Sequence, residues 1–391
     1  MKYFLISGEA SGDLHASNLI RALRTRDAQA TFVGLGGDKM RAEGCDIRVD
    51  YRDMAYMGFV AVLKNLDKVK RNFRIAKQSL LDEQPDVLIL IDYPSFNLRM
   101  AKFCKQHLPN TRIVYYIPPK IWAWKKWRVH TIAKYCDEIL GIFPFEPDFY
   151  AKYGYRCHYV GNPTADSIRS FNLQRSDLPS TAKRSTNPSD LQQSDLPSTA
   201  SNASDLPSTI ALLPGSRRSE ISHCLPTMLQ AARQVAQNNY QIIVTAAPGI
   251  EDDFYHPFLQ QGETLTRDTY NTVAQAKAAV VNSGTATLET ALMNTPEIVL
   301  YHVPKVYEWL RPIVLKIPYI SLVNINLGRE CVREIVVNKI DVEAVSEELR
   351  SILEGGSARQ KMLADFAELQ TKMGGEGSSY RTAMDIVKSL R

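Results

Sequence analysis

Short apolar runs alternate with amphipathic stretches along the first half of the chain. YFLIS opens it and leads into helical spacing through Leu19 to Leu23; DVLILI precedes a helix from about residue 97; RIVYYI and EILGIF follow. Runs this short and this uniformly apolar lack the alternation of a half-wet strand, and predict parallel strands covered on both faces. Strand and helix in strict succession predict a doubly wound, Rossmann-like α/β domain over residues 1–169.

The rhythm then stops. Ser, Thr, Pro, Asp and Gln take over, and the hexapeptide SDLPST occurs three times, starting at Ser176, Ser194 and Ser204. Such a stretch buries too little to offset its ordering entropy, so residues 170–208 read as a low-complexity linker. Strand and helix resume with TIALLPGSR, YQIIVTAAPG, AAVVNSGTATLETALM and EIVLYHV, predicting a second Rossmann-like domain over residues 209–365. Residues 366–391 form a helical segment, broken at Gly374, Gly375 and Gly377, that can pack back on the first domain. Two such halves predict a cleft between them.

Length and composition agree with this division. A chain of 391 residues exceeds what one core usually serves, and 45% hydrophobic with 23% charged residues is the balance of a folded globular protein. A net charge of +5 is too mild at this length to argue for nucleic acid as partner. The six cysteines, at positions 45, 104, 136, 157, 224 and 331, show neither a disulfide framework nor metal-type spacing, which fits a reducing cytoplasm. The opening apolar run is too short for a signal peptide, and no run of about 18 apolar residues predicts a membrane span. Any membrane contact is expected to be peripheral.

Four loops carry candidate chemistry. Gly8-Glu9-Ala10-Ser11-Gly12-Asp13 joins the first strand to a helix without the GxGxxG spacing; its carboxylates suit sugar hydroxyls better than pyrophosphate, the alternative being a plain turn with Asp13 as a cap. Asp92 follows Val87 to Ile91, at the carboxyl end of a central strand, where a partly desolvated carboxylate can take a proton from a hydroxyl nucleophile; the alternative is a cap for the next helix. Leu212-Leu213-Pro214-Gly215-Ser216-Arg217-Arg218 sets two guanidinium groups after a strand, where they match phosphate oxygens unless solvated. Asn282-Ser283-Gly284-Thr285-Ala286-Thr287-Leu288-Glu289 crowds three hydroxyls at a helix N-terminus, a diphosphate site with Glu289 as a ribose acceptor, against ordinary capping by Ser283 or Thr285. With no D-x-D pair and no ligand cluster among the seven histidines, neither a metal nor another cofactor is indicated.

Two stretches bear on a lipid surface. Val62, Leu66, Val69 and Phe73 recur at helical spacing, and Lys64, Lys68, Lys70, Arg71, Arg74 and Lys77 crowd the same segment. Trp122, Trp124 and Trp127 then fall within IWAWKKWR, an aromatic and cationic mixture suited to an interface. A solvated helix face and a buried tryptophan cluster explain the same residues, and stacking on single-stranded nucleic acid is a third, weaker reading.

ISGEASGD, LIDYPSFN, IWAW, FPFE, VGNP, LLPGSRRSEI, NSGTATLE and ISLVNINLGRE, in that order, resemble the lipid-A-disaccharide synthase family of GT-B glycosyltransferases over nearly all of the chain except residues 170–208. The resemblance implies an inverting enzyme of lipid A and lipopolysaccharide biosynthesis. It would transfer 2,3-diacylglucosamine from UDP-2,3-diacylglucosamine to the 6-hydroxyl of 2,3-diacylglucosamine 1-phosphate, giving the lipid A disaccharide 1-phosphate and UDP. By that likeness Asp92 is the base or an equally essential carboxylate, Arg217 meets the UDP phosphates, and Asn324 lines the nucleotide cleft. Ser283, Gly284, Thr285 and Glu289 fall in the UDP loop, and Glu9 and Ser11, with Gly12, in the sugar-binding N-terminal loop. It also implies a peripheral place at the inner membrane and pairing into homodimers. The sequence departs from the family in its long repetitive linker and in Pro119-Lys120, where a Ser-rich version is expected. A UDP-sugar epimerase of the same fold and a non-catalytic nucleotide-sugar or lipid binder are the competing readings.

Overall fold

The computed structural model describes residues 1–54, 66–123, 125–177, 208–237, 239–302, 318–337, 341–353, 355, 357–374 and 377–390. They fall into two compact units, Met1–Pro163 with Met373–Arg391, and Thr164–Lys372.

The first unit is built on strands β1 (Lys2–Ser7), β2 (Thr31–Gly36), β3 (Asp46–Asp50), β4 (Val87–Ile91), β5 (Arg112–Tyr116), β6 (Glu138–Gly141) and β7 (His158–Tyr159). They form one parallel sheet in the order β3-β2-β1-β4-β5-β6-β7. Helices α1 (Ala10–Arg24), α2 (Asp38–Ala42), α3 (Leu66–Glu83), α4 (Pro94–His107), α5 (Arg128–Tyr135) and α6 (Glu146–Ala151) cover it. The central strand β4, VLILI, is buried at every position, as its unbroken apolar run requires. Leu88 and Leu90 pack with Phe4, Ile113, Phe96 and Met100 in one core.

The second unit repeats the plan with β8 (Ser208–Leu213), β9 (Tyr240–Thr245), β10 (Thr264–Thr266), β11 (Ala276–Asn282), β12 (Glu297–His302) and β13 (Glu334–Val337), ordered β10-β9-β8-β11-β12-β13. Its helices are α7 (Pro163–Asp177), α8 (Arg218–Ala236), α9 (Thr269–Gln275), α10 (Thr285–Leu292), α11 (Leu322–Leu327), α12 (Val342–Ile352) and α13 (Ser357–Lys372). A last helix, α14 (Ser378–Ser389), returns to the first unit and packs on α1. Tyr159 Oη donates to the Met373 carbonyl at 2.5 Å and Arg381 Nε to the Val160 carbonyl at 2.9 Å, fastening the returning chain.

Two boundaries differ from the sequence reading. Helix α7 runs to Asp177, so residues 170–177 are helical rather than linker; Phe171, Leu173, Gln174 and Arg175 still favour a helix after the composition has begun to change. The remainder of the SDLPST segment, 178–207, lies outside the described residues. At the other end, α13 continues unbroken through Lys372, and the chain leaves the second unit there instead of at residue 365.

Glu297 opens β12 at 0% exposure, with neither carboxyl oxygen hydrogen-bonded. Burial alone pushes its pKa well above the ordinary glutamate range. The folded chain therefore keeps a proton that the unfolded chain gives up. Stability is full below the ordinary glutamate pKa and falls as pH rises toward the raised folded value. Glu297→Leu should remove this fall and stabilise the neutral protein by about 1–3 kcal/mol. Urea unfolding at acid and neutral pH measures both, and an equal pH dependence in the two proteins would refute the assignment.

Candidate active site

The carboxyl edge of the first sheet gathers strained backbone. Asp92 and Tyr93, directly after β4, both have φ of 45°, and Ile117, directly after β5, has φ of 59°. Left-handed backbone in non-glycine residues costs roughly 1–3 kcal/mol each, most for a β-branched side chain, and persists only where surrounding contacts enforce it. Those contacts are present. The Asp92 N–H donates to the Ile117 carbonyl at 3.2 Å, while the Asp92 carbonyl accepts from Asn97 Nδ2 at 2.7 Å and from Tyr115 Oη at 2.8 Å. Helix α4 begins at Tyr93, whose side chain makes no capping bond, and Asp92 stands one residue before it. Protein atoms crowding Asp92 push its carboxyl pKa up, against the pull of Lys120 and the Tyr93 N–H. The residue nonetheless keeps solvent contact. An accessible carboxylate in a crowded rim is what a general base needs.

The N-terminal loop is pressed against this rim. A Cβ on Gly8 would lie 2.4 Å from the Tyr93 ring, so glycine there is what lets the two loops meet. Gly12 is buried, and a Cβ on it would meet Ser7 Oγ at 2.5 Å; it closes α1 on β1 and presents no surface to a sugar. Asp13 is also withdrawn. Its carboxylate accepts the N–H groups of Gly37 at 2.7 Å, Lys39 at 3.1 Å and Met40 at 3.2 Å, capping α2 rather than its own helix. Glu9, half-buried, and Ser11, exposed, remain the loop's polar surface.

Two strands along the sheet from β4, the exit of β6 holds a carboxylate that sequence reasoning missed. Glu146 is 1% exposed, and its Oε2 accepts the N–H groups of Ile142 at 2.8 Å and Phe143 at 3.0 Å. Its Oε1 has no hydrogen-bond partner. Burial pushes its pKa up to about 7, against those two N–H groups, the neighbouring Trp122 indole and Lys120. The signal in the sequence was a single charge between aromatic residues in FPFE, which has no periodicity to betray it.

In the second unit, β8 and β11 are paired neighbours, so the two loops read as phosphate-binding lie side by side. A Cβ on Gly215, whose φ is 114°, would sit 2.7 Å from both Asn282 Nδ2 and Glu220 Oε2. Arg217 is exposed and its Nη1 pairs with Glu220 Oε1 at 2.9 Å. Helix α10 begins at Gly284 with no side-chain cap, so capping by Ser283 or Thr285 does not account for the hydroxyls crowded there. Ser283 Oγ instead points at the Ile320 carbonyl, 3.5 Å away. Thr287 turns back to the Gly284 carbonyl at 2.9 Å, and Thr285 is exposed. Gly284 itself is extended, with φ of 171°, and a Cβ on it would meet only the Asn282 carbonyl, at 4.0 Å. Glu289 is half-buried, accepts from Tyr270 Oη at 3.2 Å, and has its pKa raised by burial.

Asn324 corrects the sequence reading. It is 0% exposed, and its side chain is saturated internally. Its Nδ2 donates to the Val332 carbonyl at 2.8 Å and Glu334 Oε1 at 2.9 Å, while its Oδ1 accepts the N–H groups of Cys331 at 2.7 Å and Val332 at 3.0 Å. Glu334 in turn accepts the N–H groups of Ile320 and Ser321, each at 2.9 Å. Asn324 is thus a brace for the loop that faces Ser283, and not a surface for nucleotide.

The interfacial residues divide. Lys68 and Arg71 are exposed on α3, with Lys70, Arg74 and Lys77 beside them, while Asn72, Ala76 and Leu80 face the sheet. Trp122 is 7% exposed, its ring edge-on to Phe143 and Phe145 at 6.0 and 5.1 Å, so it belongs to the core and not to a lipid surface. Trp127 is 63% exposed, with the Arg128 guanidinium 5.7 Å from its ring. Lys64 and Trp124 lie outside the described residues. No helix among the described residues is long and apolar enough to cross a membrane.

Fold comparison finds solved structures of the same fold. A putative UDP-N-acetylglucosamine 2-epimerase from Listeria monocytogenes superposes with a TM-score of 0.63 at 13% identity, covering 99% of this chain and 96% of that one. The S. aureus MnaA-UDP co-structure gives 0.66 at 12% identity, covering 100% and 97%. Likeness at that identity shows the fold alone. Sequence comparison goes further. The lipid-A-disaccharide synthase of Myxococcus xanthus (strain DK1622) is 35% identical over 395 residues, 100% of this chain and 97% of that protein. That of Trichlorobacter lovleyi is 35% identical over 388 residues, 98% and 96%. The family model described as lipid-A-disaccharide synthetase matches residues 3–184 and 191–385. A match that spans both sheets, the Asp92 rim and the uncapped α10 turn alike leaves one assignment: the chain belongs to the lipid-A-disaccharide synthetase family.

Proposed function

We propose that Asp92 is the general base of a sugar transfer between two acylated glucosamines, and that the α10 turn with Arg217 holds the departing UDP. The donor is UDP-2,3-diacylglucosamine and the acceptor 2,3-diacylglucosamine 1-phosphate; the products are the lipid A disaccharide 1-phosphate and UDP. Asp92 takes the proton of the acceptor 6-hydroxyl as its oxygen attacks the anomeric carbon, and the bond from that carbon to the diphosphate oxygen breaks on the opposite side. Inversion follows from that single displacement. The charge left on UDP is met by Arg217, drawn from Glu220, and by the N–H groups of the α10 N-terminus at Gly284 and Thr285. Glu289 serves the ribose, and Glu9 and Ser11 the acceptor sugar. The observation that carries this reading is an uncapped helix end ringed by hydroxyls in a full-length member of the family. A 2-epimerase shares the fold but not this sequence-wide match.

The exposed cations of α3 and the Trp127–Arg128 pair support peripheral binding to an anionic lipid surface, where the acylated substrates reside.

Asp92→Asn should lower kcat by about 10²–10⁴-fold while leaving UDP affinity unchanged, measured as disaccharide formation and UDP titration calorimetry. A variant with near-native turnover would remove Asp92 from the chemistry. Because the protein atoms crowding Asp92 raise its pKa and the base must be ionised, kcat/KM should fall on acidification at a pH above the ordinary aspartate range. Asn324→Ala should cost about 2–4 kcal/mol of stability by stranding Cys331, Val332 and Glu334, and should weaken UDP binding through Ser283. Retained stability would contradict the bracing role. Vesicles containing anionic lipid should bind the protein, less at high salt and less for Lys68→Glu with Arg71→Glu; salt-independent binding would contradict the charged surface.

A further inference from the structure

Main-chain bonds hold Asp92 on both sides. Its N–H donates to the Ile117 carbonyl at 3.2 Å, and the Ile117 N–H donates in turn to the Leu140 carbonyl at 3.2 Å, which ties the residue through the end of β5 to β6. Its carbonyl accepts from two side chains, Asn97 Nδ2 at 2.7 Å and Tyr115 Oη at 2.8 Å. Once the two peptide groups of an L-residue are placed, its covalent geometry leaves a single direction for Cβ. At φ of 45° that direction leads out of the sheet: Asp92 is exposed, although Ile91 before it is fully buried.

The two side chains that take the carbonyl are costly ones to bury. Asn97, 0% exposed, stands in the first turn of α4, where alanine or leucine would favour the helix more. Its amide group donates to two successive carbonyls, Ile91 at 3.2 Å and Asp92 at 2.7 Å, and its Oδ1 is left buried without a partner. A core position that tolerates an unsatisfied oxygen is kept for what the other half of the amide does. Tyr115, also 0% exposed, extends from β5 to the same atom. Phenylalanine would fill that part of the core with no polar atom to bury. Two polar groups from different elements thus converge on one carbonyl that a single donor would satisfy.

Resting on the reading of Asp92 as base, we propose that Asn97 and Tyr115 are positioning residues for the transfer: their shared grip on the Asp92 carbonyl holds the left-handed turn that presents the Asp92 carboxylate to the acceptor hydroxyl. Both are fully buried, so neither meets a substrate itself and each acts through Asp92. Without the grip the Asp92–Tyr93 backbone relaxes toward the ordinary regions of φ, and the carboxylate turns with it.

The test is steady-state kinetics of the full chain with UDP-2,3-diacylglucosamine and 2,3-diacylglucosamine 1-phosphate. Tyr115→Phe keeps the ring and removes only the hydroxyl, and Asn97→Ala removes the amide. Each should lower kcat about tenfold, with KM and UDP affinity unchanged, because aim is lost and binding is not. Placed in an Asp92→Asn background, the same substitutions should lower the residual rate no further, since no base remains to be aimed. An unchanged kcat in Tyr115→Phe overturns the proposal. So does a rise in KM in place of the fall in kcat, or a loss that recurs in full when Asp92 is already asparagine, as a general loosening of the fold would give. Should Asn97→Ala fail to fold, Tyr115→Phe with and without Asp92→Asn decides alone. The underlying reading fails separately. An Asp92→Asn variant with near-native turnover removes the base itself, whereas an inactive one beside an unimpaired Tyr115→Phe removes only the positioning role.

Discussion

A parallel sheet buried on both faces has no side chain to spare for chemistry along its length. VLILI in β4 spends every side chain on packing, so a polar group can reach a substrate there only where the strand ends and the main chain must turn. The placement of the candidate site residues follows from that confinement. Asp92, Lys120 and Glu146 lie past the ends of three adjacent strands, and the Pro214–Arg218 and Asn282–Thr285 turns lie past two others. The strained φ angles at Asp92, Tyr93 and Ile117 are the local cost of turning polar groups outward within one or two residues of a sealed core.

The same confinement decides what the sequence could reveal. An apolar run locates a strand, and the first polar residue after it locates an exit, which is why Asp92 and the Ser283 turn were legible from residue order. Helix α7 was harder. Its last residues, Phe171 to Asp177, keep helix-forming character after the surrounding composition has turned polar, so composition and structure change at different points.

Direction was what the sequence hid. Trp122 and Trp127 belong to one aromatic stretch, yet the first packs against Phe143 and Phe145 and the second lies in solvent. Asn324 stands in ISLVNINLGRE, a stretch read by its resemblance to the family, but such a likeness does not say which way a residue faces; here its amide holds its own loop together. Asp13 was read as a cap or a sugar ligand and is a cap, but for a helix 25 residues further on, Asp38 to Ala42, which no local pattern announces. Glu146 escaped notice because an isolated charge among aromatics reads as surface until the fold buries it at the exit of β6.

The return of α14 to α1 has a consequence for how the molecule is made. The first unit is not a continuous stretch of chain: it lacks its closing helix until residues 373–391 have been synthesised, whereas the second unit ends at Lys372. On a ribosome that delivers the chain from its N-terminus at about 5–20 residues per second, the unit translated first is the one completed last. Until then the face of α1 on which α14 packs lacks that cover, and the emerging polypeptide must hold that surface through the whole of the intervening synthesis.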